Sequence, residues 1–157
     1  MIRLERAGAE DLETIISIQR ASFKAVYEKY QDEYDPYLED RERIKWKLAE
    51  RPNSYYYFVK EKDENIGFLR VQTNEELTEA WLGTAAILPQ HQGKGYGSEG
   101  LRLLEKEFPT IKQWDLCTVL QDEGMVAFYE KNGYHQTHIE PEKEGMDMVY
   151  MKKWIEK

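Results

Sequence analysis

Apolar positions along the chain follow two periods that replace one another several times. Near the start, Ile2 and Leu4 alternate with polar neighbours, which predicts a short strand. Leu12, Ile15, Ile16, Phe23, Val26 and Tyr27 then recur at steps of three and four, which predicts a long first helix with one apolar face. From Tyr27 to Asp40 that periodicity fails, and Tyr27, Tyr30, Tyr34 and Tyr37 alternate with acidic residues, so a loop is expected. Ile44 and Leu48 place a second helix at about Glu39 to Glu50, stopped by Pro52 and the polar pair Asn53-Ser54.

The period then shortens. Tyr55 to Val59 is aromatic and β-branched, Lys62 to Asn65 is a turn, and Ile66 to Thr73 is extended again, the pattern of a hairpin. A turn at Asn74 to Leu77 leads to a fourth strand, Glu79 to Leu88, and after a glycine-rich stretch Leu101, Leu104 and Phe108 mark a third helix. Gln113 to Leu120 is a fifth strand, and Glu123 to Lys131 a short helix closed by Asn132-Gly133, with Gly133 suited to the left-handed cap. Tyr134 to Ile139 and Met146 to Trp154 complete a terminal strand pair around a polar loop containing Pro141 and Gly145. The predicted order is βααβββαβαββ in one α/β (α+β) domain spanning the 157 residues, with no internal repeat or linker.

Composition narrows the function classes. No apolar run is long enough to span a bilayer and the N-terminus lacks a signal peptide's apolar region, so a soluble cytoplasmic protein is expected. A formal charge of −8 argues against nonspecific binding to nucleic acid or an anionic membrane, and suits a cationic partner such as an amine. The single cysteine, Cys117, excludes an internal disulfide; its apolar strand suits an inert thiol, and no His/Cys grouping has the spacing of a metal site.

The stretch Ile87 to Gly100 carries the strongest chemical signal. Gly93, Gly95 and Gly97 allow positive φ angles and close backbone approach, so the amides of Gln92 to Ser98 can converge on an anion at the start of the third helix, with Lys94 adding charge. This is not a Walker loop, because Gly95 rather than Ser or Thr follows Lys94. Gly95, Gly97 and Gly100 match the dinucleotide fingerprint GxGxxG, but a long mixed segment precedes them and too little chain follows to build the remaining strands of that fold.

The stretch resembles the acyl-CoA-binding motif Gln/Arg-x-x-Gly-x-Gly/Ala of the GNAT superfamily of N-acetyltransferases, matched by Gln92, Gly95 and Gly97. Met125 to Tyr134, reading Met-Val-Ala-Phe-Tyr-Glu-Lys-Asn-Gly-Tyr, resembles the second signature of that family. The resemblance covers essentially the whole chain. It implies a GNAT-like mixed, mostly antiparallel sheet of about seven strands flanked by about four helices. It also implies acetyl-CoA as cosubstrate, no metal, and direct transfer to an amine acceptor in a ternary complex.

Residue by residue, it implies that the backbones of Ile87 and Leu88 hold the pantetheine arm. The coenzyme phosphates fall to Gln92, Gly93, Lys94, Gly95, Tyr96, Gly97 and Ser98. Tyr129 matches the family's general acid, and Glu79, at the start of the fourth strand, is the candidate base, with His91, His135 and His138 as rivals. His135 and His138, three apart on a strand, are expected on opposite faces. Asp122 stands where the family often has an asparagine whose amide contacts the coenzyme, and a carboxylate cannot donate that bond. The family's acceptor side corresponds to Tyr27 to Leu38, so Tyr27, Tyr30 and Tyr34 are expected around the amine. A protein or peptide acceptor, or a non-catalytic acyl-CoA-binding module, are the alternatives, and either a monomer or a homodimer is compatible.

Overall fold

The computed structural model of the chain describes residues 1–156. Its strands are β1 (Arg3–Arg6), β2 (Ser54–Glu61), β3 (Glu64–Thr73), β4 (Glu79–Ile87), β5 (Gln113–Val119), β6 (His135–Lys143) and β7 (Met146–Trp154). Its helices are α1 (Leu12–Tyr30), α2 (Arg41–Ala49), α3 (Tyr96–Glu107) and α4 (Glu123–Lys131). The strands form one sheet in the order β1-β2-β3-β4-β5-β7-β6. All neighbours pair antiparallel except β4 and β5, which are parallel. The sequence order βααβββαβαββ is the observed one.

Alternation along the strands sorts the core into two layers. One face of the sheet carries Val59, Leu69, Val71, Leu82, Trp114, Leu116, Val149 and Met151, packed with Leu101 and Leu104 of α3 and Val126 and Tyr129 of α4. The other face carries Tyr56, Phe58, Phe68 and Ala86 under Leu12, Ile15, Ile16 and Ile18 of α1 and Ile44 of α2. Each fully buried side chain of this size contributes about 1.5–3 kcal/mol, so the apolar faces of α1 and α3 hold the helices in place.

The parallel pair is short. β4 and β5 are in register only from Glu79–Trp81 against Gln113–Asp115, and beyond that point the two strands part. The far half of β4 is therefore bonded to β3 on one side and has an open edge on the other. In the same region the register with β3 slips between Val71↔Leu82 and Arg70↔Thr84, which leaves Gly83 as a bulge.

Several local expectations are corrected. The segment from Tyr27 is not loop from its start: α1 continues through Tyr30 and ends where Gln31 turns left-handed, its N–H donating to Tyr27 O. The α2 helix starts at Arg41, capped by the Asp40 side chain at Arg43 N. β6 runs through Pro141, which an edge strand tolerates because its missing N–H faces no partner. A bulge between Gln136 and His138 places His135 opposite Lys152 and His138 opposite Tyr150. Lys152 and Tyr150 are two apart, so the two histidines share a face, contrary to simple alternation.

Candidate functional site

The glycine-rich stretch does what a loop between strand and helix needs at two of its three glycines. Gly93 and Gly95 have φ of 78° and 82°, and a Cβ built on either would meet nothing within 4 Å. Gly95 is the N-cap residue of α3 and no side chain caps the helix, so the first-turn amides of Tyr96, Gly97 and Ser98 point into open space. Gly97 is a correction, because it is helical. A Cβ there would lie 3.0 Å from the Phe128 ring, so this glycine serves the close approach of α3 to α4 rather than a positive φ.

A cavity of about 430 Å³ opens at this point. Ile87, Gln92, Gly93, Gly95, Tyr96, Gly97 and Ser98 line it, as do Leu69, Ala85, His91, Leu101, Met125, Phe128 and Lys131. Its wall thus joins the open edge of β4, the uncapped end of α3 and one side of α4. Asn132 Nδ2 donates to Ser98 Oγ at 3.1 Å and to Phe128 O at 2.8 Å, which ties the two signature stretches to each other. Gln92 turns inward, its Nε2 donating to Ile87 O at 2.9 Å, and so pins the loop to the strand. The Tyr96 hydroxyl donates to Glu61 on the β2–β3 hairpin. This bond raises the Tyr96 phenol pKa and lowers that of the Glu61 carboxyl.

Not every predicted contact residue joins the cavity. Lys94 is exposed beside it. Leu88 is a correction: its N–H donates to Ile66 O at 2.8 Å and its C=O accepts from His91 N at 2.8 Å, so both backbone groups are occupied. Since Leu88 bonds to β3, the alternation of an antiparallel ladder turns the backbone groups of Ile87 and Ala85 towards the open edge. Asp122 caps α4, its Oδ1 accepting from Met125 N at 3.2 Å.

Tyr129 is 6% exposed and packs edge-on against Phe128 and Tyr134. Burial holds its phenol well above the usual tyrosine pKa, with smaller contributions from Cys117 and Asp122, so the group stays protonated. Glu79 is placed far from this region. It is exposed where β4 and β5 are still paired, and the eight residues to Ile87 correspond to roughly 26 Å of strand. It is the only carboxylate of β4.

The three expected acceptor tyrosines have different surroundings. Tyr27 stacks on Tyr37 with ring centroids 5.1 Å apart, the buried Tyr30 hydroxyl has no partner among the described residues, and Tyr34 is 78% exposed. Two carboxylates of this segment are turn caps: Asp32 accepts from Tyr34 N and Asp35 from Tyr37 N. What sequence reasoning missed is an aromatic row on the sheet face opposite α3 and α4. Trp81 lies 6.0 Å from Tyr150, and His138 stacks on Tyr150 at 4.4 Å while its Nε2 meets Glu140 at 2.8 Å. Only the bulge in β6 brings His138 there, and nothing local in the sequence marks it.

Comparison with known proteins adds to this geometry. Residues 13–134 match the Acetyltransferase (GNAT) family. Among solved structures, the ribosomal-protein-S18-alanine N-acetyltransferase from Escherichia coli is similar at 18% identity and TM-score 0.79, over 100% of this chain and 96% of that one. An acetyltransferase from Thermus thermophilus is similar at 16% identity and TM-score 0.78, over 99% and 97%. A PaiA N-acetyltransferase from Thermoplasma acidophilum, in complex with coenzyme A, is similar at 22% identity and TM-score 0.73, over 99% of both chains. No curated protein matches the sequence. At these identities the structural likeness shows the fold.

Proposed function

The chain belongs to the acetyltransferase (GNAT) family, and from that premise we propose that it transfers an acetyl group from acetyl-CoA directly to an amine acceptor bound beside it. The observation that carries the reading is the continuity of the cavity. An uncapped helix start with two open, left-handed glycines suits a pyrophosphate, and it adjoins a strand edge where the Ala85 backbone groups and the Ile87 N–H, the Ile87 carbonyl being taken by Gln92, suit an extended amide chain.

When bound, acetyl-CoA supplies the thioester carbonyl that the amine attacks. The amides from Gly93 to Ser98 orient the phosphates, and Lys131 on the cavity wall adds a positive charge to that end. The edge groups of Ala85 and the N–H of Ile87 align the pantetheine arm, and Met125 and Phe128 form its apolar wall. Tyr129 is the proton donor to the departing thiolate. Its burial, which keeps the phenol protonated, also makes its ionisation costly, so the proton must be recovered within the catalytic step. Glu79 is not assigned the base role, given its exposed place on the paired part of β4.

The test follows thiol release from acetyl-CoA across a panel of polyamines, aminoglycosides, amino acids and short peptides, with a blank lacking acceptor. Tyr129→Phe is expected to lower kcat by about 100-fold or more while the dissociation constant for coenzyme A stays within about twofold. Unchanged kcat would remove Tyr129 from the mechanism. Coenzyme binding without transfer to any acceptor would make the chain an acyl-CoA-binding module.

A further inference from the structure

Arg70 is out of place in β3. The strand reads Ile66-Gly67-Phe68-Leu69-Arg70-Val71, buried throughout, and Arg70 itself is 5% exposed on the face covered by α1 and α2. Its hydrogen-bond partners are neutral. Nε and Nη2 donate to Ser54 Oγ at 3.3 and 3.2 Å, and Nη2 donates to Gln72 Oε1 at 2.7 Å. A buried guanidinium without a carboxylate is unfavourable unless something completes it.

The nearby carboxylate cannot do so. Glu39 is already taken by Lys47 Nζ at 2.5 Å, Arg43 Nε at 3.2 Å and Gln19 Nε2 at 2.9 Å. Arg51 and Arg43 add further positive charge around Arg70. The Tyr56 hydroxyl, on a residue only 1% exposed and close enough to Arg70 to feel its charge, is buried without a partner among the described residues. In a chain of net charge −8, this corner of the fold is cationic.

The unused nitrogen has a direction. Arg70 Nη1 lies 2.6 Å from the position that a Gly83 Cβ would take. Gly83 is the β4 bulge, it is exposed, and it stands two residues past the last β4–β5 pair, Trp81↔Asp115. The guanidinium therefore ends at the opening of the sheet, on the face that also carries the Trp81–Tyr150 row.

We propose that Arg70 binds a carboxylate of the acceptor, so that the amine acetylated belongs to an amino-acid-like molecule. The proposal rests on the acetyltransferase reading. Gly83 is then a specificity residue, because a side chain there would push Nη1 away from the opening. Arg70 touches the acceptor at a distance from the bond being made, and so acts on selection rather than on the chemical step.

The experiment compares kcat/KM for α-amino acids with that for their carboxamides, which carry the same amine and side chain without the anion. Wild-type protein is expected to favour the acids by about 10- to 100-fold, the loss typical of a missing charged hydrogen bond. Arg70→Gln should bring the ratio close to one through the acids alone, with amides changed less than about threefold. Gly83→Ala, which leaves the buried charge in place, should lower the same ratio, and it decides the matter if Arg70→Gln fails to fold. A merely structural Arg70 would weaken acids and amides alike. Equal use of acids and amides by the wild type would refute the carboxylate site while leaving the acetyltransferase reading intact. If no acceptor is acetylated, the coenzyme-A-loaded protein is titrated with N-acetylglycine and N-acetylglycinamide, following the Arg70 Nε–H resonance. A shift with the acid alone would uphold the site without the activity, and no shift would overturn both.

Discussion

Two glycines allow the anion-binding role proposed for the loop to be separated from its backbone strain. Gly95 at the start of α3 and Gly145 in the β6–β7 turn have φ of 82° and 81°, and a Cβ on either meets nothing within 4 Å. Alanine at each position therefore adds no clash and costs only the strain of a left-handed backbone, roughly 1–2 kcal/mol. For a chain of this length that lowers Tm by about 2–8 °C, and by the same amount in both variants. Their effects on the coenzyme should differ. Any relaxation of φ at Gly95 swings the amides of α3's first turn off the phosphate position, and losing one charge-assisted hydrogen bond weakens binding by about 10- to 100-fold. Calorimetric titration with coenzyme A and with pantetheine, which lacks the phosphates, checks this alongside thermal unfolding. Gly95→Ala should lose affinity for coenzyme A and keep that for pantetheine, and Gly145→Ala should keep both. Wild-type coenzyme affinity in Gly95→Ala, or an equal loss in Gly145→Ala, would refute the assignment of the loop.

Burial raises the phenol pKa of Tyr56, Tyr129 and Tyr134 above the unfolded value near 10. Their contribution is then complete below pH 10 and falls above it, where only the unfolded chain ionises freely, by about 1.4 kcal/mol per pH unit for each. Tm should stay level to about pH 9.5 and then drop, with a shallower drop in Tyr134→Phe; an unchanged slope there would contradict the cause. Burial, then Glu142 and Glu140, push the Cys117 thiol up to about 11. At pH 8 its alkylation, timed by mass spectrometry, should be roughly two orders of magnitude slower than that of a free thiol, and a rate like the free thiol's would show an accessible thiolate instead. Asp122→Ala should lower the free energy of unfolding in urea by about 1 kcal/mol and Asp122→Asn by much less, since asparagine caps equally well. Equal losses would mean the cap is not what Asp122 contributes.

Most of the architecture was legible because its signals are local. The switch from helical to alternating periodicity located all seven strands and four helices, and the glycine run and the Phe128-Tyr129 stretch marked two walls of one cavity. The misses share a different origin. Gly97 was assigned a turn glycine's role, but its constraint is the Phe128 ring on another helix. His135 and His138 were put on opposite faces, and a bulge set by pairing with β7 puts them on one. Glu79 looked like a strand-four base, yet it sits where β5 still closes the strand edge. Tyr27, Tyr30 and Tyr34 were grouped as one loop, but α1 carries the first two, three apart on one of its faces, and leaves Tyr34 beyond its end and exposed.

By itself, then, the amino-acid sequence determined which segments are helix or strand, where a glycine-rich turn leads into a helix start, and that a phenol follows in the Met125–Tyr134 stretch. Periodicity, φ freedom and residue chemistry act over a few neighbouring residues. Only the tertiary structure decided that β4 and β5 part after three pairs, that Leu88 has no free backbone group, and that Arg70 ends at the Gly83 bulge without a carboxylate. Those facts depend on strand register and on which charges are desolvated together, and both are set by residues far apart in the chain.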